Sequence, residues 1–193
     1  GVAFLFAPLF HPAMKYVAKT RGELGVRTIF NLLGPITNPA GVTKQLVGTY
    51  RKEAATKMAD ALGKLSTELA CVVHSDSGMD EVAVSGETAV FEVSGEHPTR
   101  AYTISAGTFG LSDHPGDSVL GGTPEENAQI ALRVLGKQPG PHRDVVLANA
   151  AVGIYVAGRA RDLAEGSARA AESIDSGRAM ERLRHLVEFS NRP

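Results

Sequence analysis

A single cysteine, Cys71, is all the thiol chemistry that this 193-residue chain holds, which excludes an internal disulfide framework and suits a reducing compartment. Charge of neither sign is in excess: 20 basic and 21 acidic side chains leave a net −1. No global field therefore draws nucleic acid or an anionic membrane, and any phosphate recognition has to be local. No apolar run reaches the length that spans a bilayer, and the start, Gly1 to Pro8, lacks the basic region of a signal peptide, so the cytoplasm is the expected compartment. An initiator methionine is missing as well, and the chain is expected to begin inside a longer polypeptide. Internal repeats, low-complexity tracts and linkers are absent, so residues 1–193 read as one domain. What remains, 43% hydrophobic and 21% charged residues, suffices for a globular core.

The order of the apolar segments predicts an α/β chain. Val2 to Ala7 is a continuous apolar run ended by Pro8, which reads as a buried strand. His11 to Gly25 reads as a helix, with Pro12 in its first turn and Gly25 at its C-terminal cap. Gln45 to Tyr50, a helix carrying Ala54, Met58, Ala61 and Leu65, and Leu69 to Val73 form a strand–helix–strand pattern, the mark of a parallel crossover. Cys71 lies inside the last of these runs and reads as a small core residue and not a nucleophile. Thr88 to Val93 and Thr99 to Ser105 are further strands. Thr123, Pro124 and Glu126 spell a capping box at a helix start. Asp144 to Gly158 is apolar nearly all round, interrupted only by Asn149, and should be buried. Leu163 to Ser176 and Arg178 to Asn191 are amphipathic and cover the sheet.

Two stretches carry chemistry. In the stretch Arg27 to Ala40, Gly34-Pro35 and Asn38-Pro39 predict two rigid corners that bracket Ile36 and Thr37. Taken alone they fit a tight connection between elements at least as well as a binding wall. Before it, Met14, Val17 and Arg21 share one helix face. A guanidinium in an apolar row needs an anion; an ion pair with Glu23 or a distant carboxylate satisfies that need, and so does a substrate carboxylate. His11 at the start of this helix fits a structural cap or the lining of a site. The second stretch, Ser75 to Val84, places Asp80 and Glu81 after the turn at Gly78. In a regular strand these two would point to opposite faces, so they serve one site only if the backbone is irregular there or if they hold two ions. Hard oxygen ligands of this kind suit magnesium beside phosphate, and a solvated acidic hairpin is the plainer reading.

The string Arg-Thr-Ile-Phe-Asn-Leu-Leu-Gly-Pro-Ile-Thr-Asn-Pro-Ala at 27–40, the His-Pro-Ala-Met helix start at 11–14, Gly-Met-Asp-Glu at 78–81 and Pro-Glu-Glu-Asn-Ala at 124–128 resemble the anthranilate phosphoribosyltransferase family of tryptophan biosynthesis. The resemblance implies a nucleoside phosphorylase/phosphoribosyltransferase-like catalytic domain, incomplete at its N-terminus, with a central mixed, largely parallel sheet flanked by helices. It implies transfer of the phosphoribosyl group from phosphoribosyl pyrophosphate to anthranilate. Arg21 would bind the anthranilate carboxylate, His11, Met14 and Pro35 would line the aromatic channel, Asn38 would be a further contact, and Asp80 with Glu81 would hold Mg2+. The family's helical N-terminal domain, its usual dimer interface, and its Gly-Thr-Gly-Gly-Asp and Lys-His-Gly-Asn phosphate segments have no counterpart in this sequence. A stretch of this extent is thus expected to be inactive alone, and the full-length protein a homodimer. The nearest alternatives are a pyrimidine nucleoside phosphorylase-like enzyme, tested by thymidine plus phosphate, and a noncatalytic nucleic-acid-binding relative, which would need a basic face.

Overall fold

Two compact units make up the chain, Gly1–Val42 and Thr43–Pro193. The computed structural model describes residues 1–26, 28–95 and 97–192, and of Pro35 the backbone alone; Arg27, the first residue of the signature string, lies outside the described residues. Among the described residues no helix is long and apolar enough to cross a membrane.

The first unit holds α1 (Ala7–Phe10), a 3-10 turn (Pro12–Met14), α2 (Lys15–Leu24) and α3 (Phe30–Ile36). The strand expected over Val2 to Ala7 does not form: residues 1–6 have no regular structure and are exposed. An apolar run specifies that a segment is to be covered, but a strand also needs a neighbour to bond with, and none of the described residues supplies one. The expected helix does form after the 3-10 turn, and Gly25 closes it in the left-handed conformation (φ 61°), its N–H donating to the Arg21 carbonyl at 3.3 Å. Between residues 11 and 26 only His11, Met14, Val17 and Arg21 are partly covered, which is the helix face that the sequence predicts.

The corner expected at Gly34-Pro35 is also absent, because α3 runs through both residues. Proline disfavours an α conformation before it without forbidding one, and in so short a helix its missing N–H removes a single bond, the one to Asn31. Thr37 repairs the end with its hydroxyl, which donates to the Leu33 carbonyl at 2.8 Å. At the start of α3 the Asn31 side chain accepts from the Thr28 N–H at 2.9 Å. The turn falls at the second predicted corner, where Asn38 Oδ1 accepts from Ala40 N–H at 2.9 Å and the Asn38 carbonyl accepts from Gly41 N–H at 3.0 Å.

The second unit is α/β. Its sheet runs β1 (Lys44–Gly48), β2 (Leu69–Ser75), β3 (Thr88–Ser94) and β4 (His97–Ile104), in that spatial order. The mixed sheet flanked by helices is as expected, but its parallel part is smaller: only β1 and β2 are parallel, joined through α4 (Lys52–Leu62), while β2–β3 and β3–β4 are antiparallel. One crossover gives one parallel pair, and the short connections after β2 dictate antiparallel neighbours. The helices α5 (Pro124–Leu135), α6 (Pro141–Val156), α7 (Leu163–Asp175) and α8 (Arg178–Ser190) follow.

Alternation along β2 divides the core. Cys71 and Val73 join Val90, Ile104, Phe109 and the α6 residues Ala148, Val152 and Val156 in one cluster, while α4 packs on β2 and β3 with Met58 and Leu62 wholly buried. Burial pushes the Cys71 thiol up to about 12, which fits an inert core residue. Within the α6-facing layer lies Glu92, 9% exposed. Its carboxylate accepts from Tyr102 at 2.9 Å, Tyr155 at 3.3 Å and Arg100 at 3.4 Å, so a buried charge has partners on both sides. Burial, with the nearby carboxylate, raises both tyrosine hydroxyls above their usual range. Close packing of α7 on α6 depends on Gly166, where a Cβ would lie 2.6 Å from the Ala151 carbonyl oxygen.

Candidate active site

In the first unit the partly covered face of α2 borders a cleft of about 740 Å3, lined by His11, Met14 and Arg21 together with Phe10, Phe30 and Leu33. Its walls are aromatic and aliphatic, and two cations border it, Arg21 and Lys15, the latter 5.0 Å from the centroid of the exposed Tyr16 ring. Arg21 makes no ion pair among the described residues. The partner that the sequence offered, Glu23, is taken by Lys19 at 3.9 Å. Instead the Arg21 guanidinium carbon stands 5.7 Å from the centroid of the Phe30 ring, a cation–π placement that holds the group over an apolar wall, with its N–H fork taking no anion among the described residues. A flat aromatic ligand bearing a carboxylate fits this combination, since the rings would pack and the fork would take the anion in two parallel bonds.

Of the expected contacts, His11, Met14 and Arg21 line this cleft. Pro35 contributes backbone to α3, and its side chain lies outside the described residues. Asn38 follows the helix, and its amide oxygen is engaged in the turn with Ala40. Phe30 and Leu33 were not singled out in the sequence; three apart in the first turn of α3, they share one side of that helix.

In the second unit the chain leaves β2 and passes through an irregular loop in which Asp80 and Glu81 are both exposed. The backbone there is not in a strand, so the alternation that would send two adjacent carboxylates to opposite faces does not apply. The loop is held along its length. Gly48, the last residue of β1, lies so close to Asp80 that a Cβ would fall 1.5 Å from the Asp80 carbonyl oxygen. Ser75 N–H donates to the Met79 carbonyl at 3.1 Å. Val82, Ala83 and Val84 are 0%, 0% and 2% exposed, and four of their backbone groups find partners outside any sheet. The Asn149 amide bonds Val82, Thr88 Oγ1 accepts from Ala83 N–H at 3.1 Å, and His114 N–H donates to the Val84 carbonyl at 2.8 Å. The His114 ring meets Asp144 on α6 at 2.7 Å.

No group of three or more acidic, histidine or cysteine side chains suited to a metal occurs among the described residues. Two carboxylates make a partial oxygen shell, so a cation held by Asp80 and Glu81 needs further oxygens from water or a ligand. Magnesium is bound in this way beside phosphates, with one or two protein carboxylates, and the donor set fits it. The sequence marked Asn149 as an interruption but not what it touches, 67 residues away, and nothing in the sequence marked Gly48.

Residues 1–180 match the glycosyl transferase family, a/b domain. The anthranilate phosphoribosyltransferase of Aquifex aeolicus is 50% identical over 192 residues, covering 100% of this chain and 56% of that protein. The crystal structure of anthranilate phosphoribosyltransferase from Thermus thermophilus superposes with a TM-score of 0.88 at 44% identity, over 97% of this chain and 55% of that one. The Saccharomyces cerevisiae enzyme in complex with PRPP and Mg gives a TM-score of 0.86 at 34% identity, over 96% and 53%. The chain thus spans about half the length of the relatives it matches. With a mixed sheet, flanking helices and a family match that runs through both units, the chain belongs to the glycosyl transferase family as its a/b domain.

Proposed function

We propose that this chain is the acceptor-binding and metal-binding part of an anthranilate phosphoribosyltransferase. The observation that carries the reading is Arg21: a guanidinium without an anionic partner among the described residues, set on the apolar, aromatic wall of a cleft. Anthranilate is a planar ring with a carboxylate beside an amine, and the arginine fork would hold the carboxylate and thereby aim the amine. His11 and Met14 would pack on the ring, with Pro35 and Asn38 as further contacts.

In the reaction the anthranilate nitrogen bonds to the anomeric carbon of the ribose, the bond from that carbon to pyrophosphate breaks, and the nitrogen sheds a proton. Such a displacement needs no protein nucleophile. It needs a positioned amine and a leaving group whose charge is offset. Mg2+, when bound, would offset the charge of the pyrophosphate. Asp80 and Glu81 would hold the ion through oxygen ligands, and the pinned backbone on either side would keep them in place. We place the enzyme in the cytoplasm, as a homodimer assembled through parts of the polypeptide that the relatives have and this stretch lacks, and this stretch alone as inactive.

The test is kinetic. Arg21→Ala and Arg21→Lys in the natural polypeptide are expected to raise KM for anthranilate by about tenfold to a hundredfold, the range for a charge-assisted bond. KM for phosphoribosyl pyrophosphate should hardly move. An anthranilate KM equal to that of the unaltered enzyme in both variants would refute the assignment.

A further inference from the structure

We propose that Asn149 is a positioning residue for metal binding: its carboxamide fixes the backbone of Val82 and so sets where the Asp80 and Glu81 carboxylates stand. The inference rests on the reading of that pair as magnesium ligands.

The argument begins with a cost. Val82 to Val84 is buried as deeply as any strand, yet it belongs to none. Backbone N–H and C=O groups withdrawn from water without partners destabilise a fold, so something other than a ladder has to satisfy them. Asn149 meets the need at Val82. Its Oδ1 accepts from Val82 N–H at 2.9 Å, and its Nδ2 donates to the Val82 carbonyl at 2.9 Å and to the Val145 carbonyl, one turn back on α6, at 2.9 Å. Amide oxygen and nitrogen thus copy the two bonds of a neighbouring strand. The opposite amide orientation would set NH2 against the Val82 N–H and oxygen against two carbonyls, so this network admits one orientation.

The placement matters more than the bonds alone. Asn149 is the single polar interruption in an otherwise apolar stretch of α6, and a leucine there would add apolar area to the core. It would leave both backbone groups of Val82 unpaired. The residue it holds comes directly after Glu81. The remaining contacts lie to either side: Gly48 against the Asp80 carbonyl, Thr88 at Ala83, and His114 at Val84, itself tied to α6 through Asp144. Loss of the Asn149 amide would therefore leave the loop attached but release its centre. The expected consequence is a carboxylate pair that no longer holds its spacing, with the fold retained.

Mn2+ in the presence of inorganic pyrophosphate, titrated into the natural polypeptide and followed by electron paramagnetic resonance, reads this out directly. Asn149→Ala should weaken Mn2+ binding by about tenfold or more, the usual effect of removing an outer-shell partner, with an unchanged circular dichroism spectrum. Raising the metal concentration should restore most of the rate, which a general loss of structure would not allow. Asn149→Asp keeps the acceptor for Val82 N–H and, with its carboxyl protonated, one donor for a carbonyl, and should fall between Asn149→Ala and the unaltered protein. A folded Asn149→Ala that binds Mn2+ within twofold of the unaltered protein overturns the proposal. If that variant does not fold, the same criterion applies to Asn149→Asp. Asp80→Asn separates the two claims. Should it weaken binding while the Asn149 variants do not, only the positioning role fails; should it leave binding unchanged, the metal reading falls and this inference with it.

Discussion

Glycine 48 is defined by an atom it does not have. Any Cβ would stand 1.5 Å from the Asp80 carbonyl oxygen, a backbone atom that has no rotamer to change. Gly48→Ala is therefore expected to displace the acidic loop and weaken Mn2+ binding by about tenfold or more. The control is Gly63→Ala, where a Cβ would meet nothing nearer than 3.5 Å and the backbone is α-helical (φ −64°). That change should leave metal affinity alone and raise the melting temperature slightly, by restricting the unfolded chain. Equal metal affinities in the two variants would refute the role given to Gly48. At this scale the sequence was informative where a residue type conflicted with its surroundings. Arg21 stood in an apolar row and Asn149 in an apolar helix, and both conflicts fall on residues for which a role is proposed above. Gly48 conflicts with nothing in its own strand, since the carbonyl it admits comes from a residue far along the sequence, after the whole β1–α4–β2 crossover, a contact that no local pattern encodes.

The helix α5 shows the opposite case, an element whose start is written wholly in its own residues. Thr123 Oγ1 accepts from the Glu126 N–H at 3.3 Å and the Glu126 carboxylate accepts from the Thr123 N–H at 2.7 Å, with Pro124 in the first turn. Thr123→Ala should cost about 1 kcal/mol and lower the melting temperature by about 2–4 °C for a chain of this size. Hydrogen exchange should speed up in the first turn of α5 and not in α6; uniform acceleration across both helices would contradict the assignment. Elements of this kind were legible to within a few residues: β2, β3, the start of α7 and the left-handed cap of α2 all follow from local pattern. Two were not. Val2 to Ala7 has the pattern of a strand without a described partner, and α3 continues through Gly34-Pro35 because a terminal hydroxyl, that of Thr37, offsets what proline removes.

Across the second unit, α6, α7 and α8 are stitched by surface carboxylates that sit below their usual range. Glu165 is lowered by the Arg161 N–H and by Arg169, Glu172 by Arg178, and Asp175 by Arg143 of α6. Carboxylates depressed in the folded state contribute stability that is complete above the ordinary values of 4.5 for Glu and 3.8 for Asp and is lost as pH falls through the lower folded values. The melting temperature should accordingly stay level from neutrality to about pH 5 and drop below about pH 4, where protonation sets in. Because Glu172 and Asp175 are exposed and Glu165 is only half-buried, the drop should shrink in high salt. A triple variant, Glu165→Gln, Glu172→Gln and Asp175→Asn, should melt lower at neutral pH and respond less to acid; a profile parallel to that of the unaltered protein would argue against the ion pairs as its source.

One helix, α6, both fills the core beneath the sheet and bonds the backbone beside Asp80 and Glu81. The loop therefore has no melting point of its own. Heat cannot loosen it as a lid is loosened, ahead of the body; as long as α6 stays packed the carboxylates keep their station, and when α6 goes the whole unit goes with it. Loss of metal binding on heating and cooperative unfolding of the second unit are expected to be a single event.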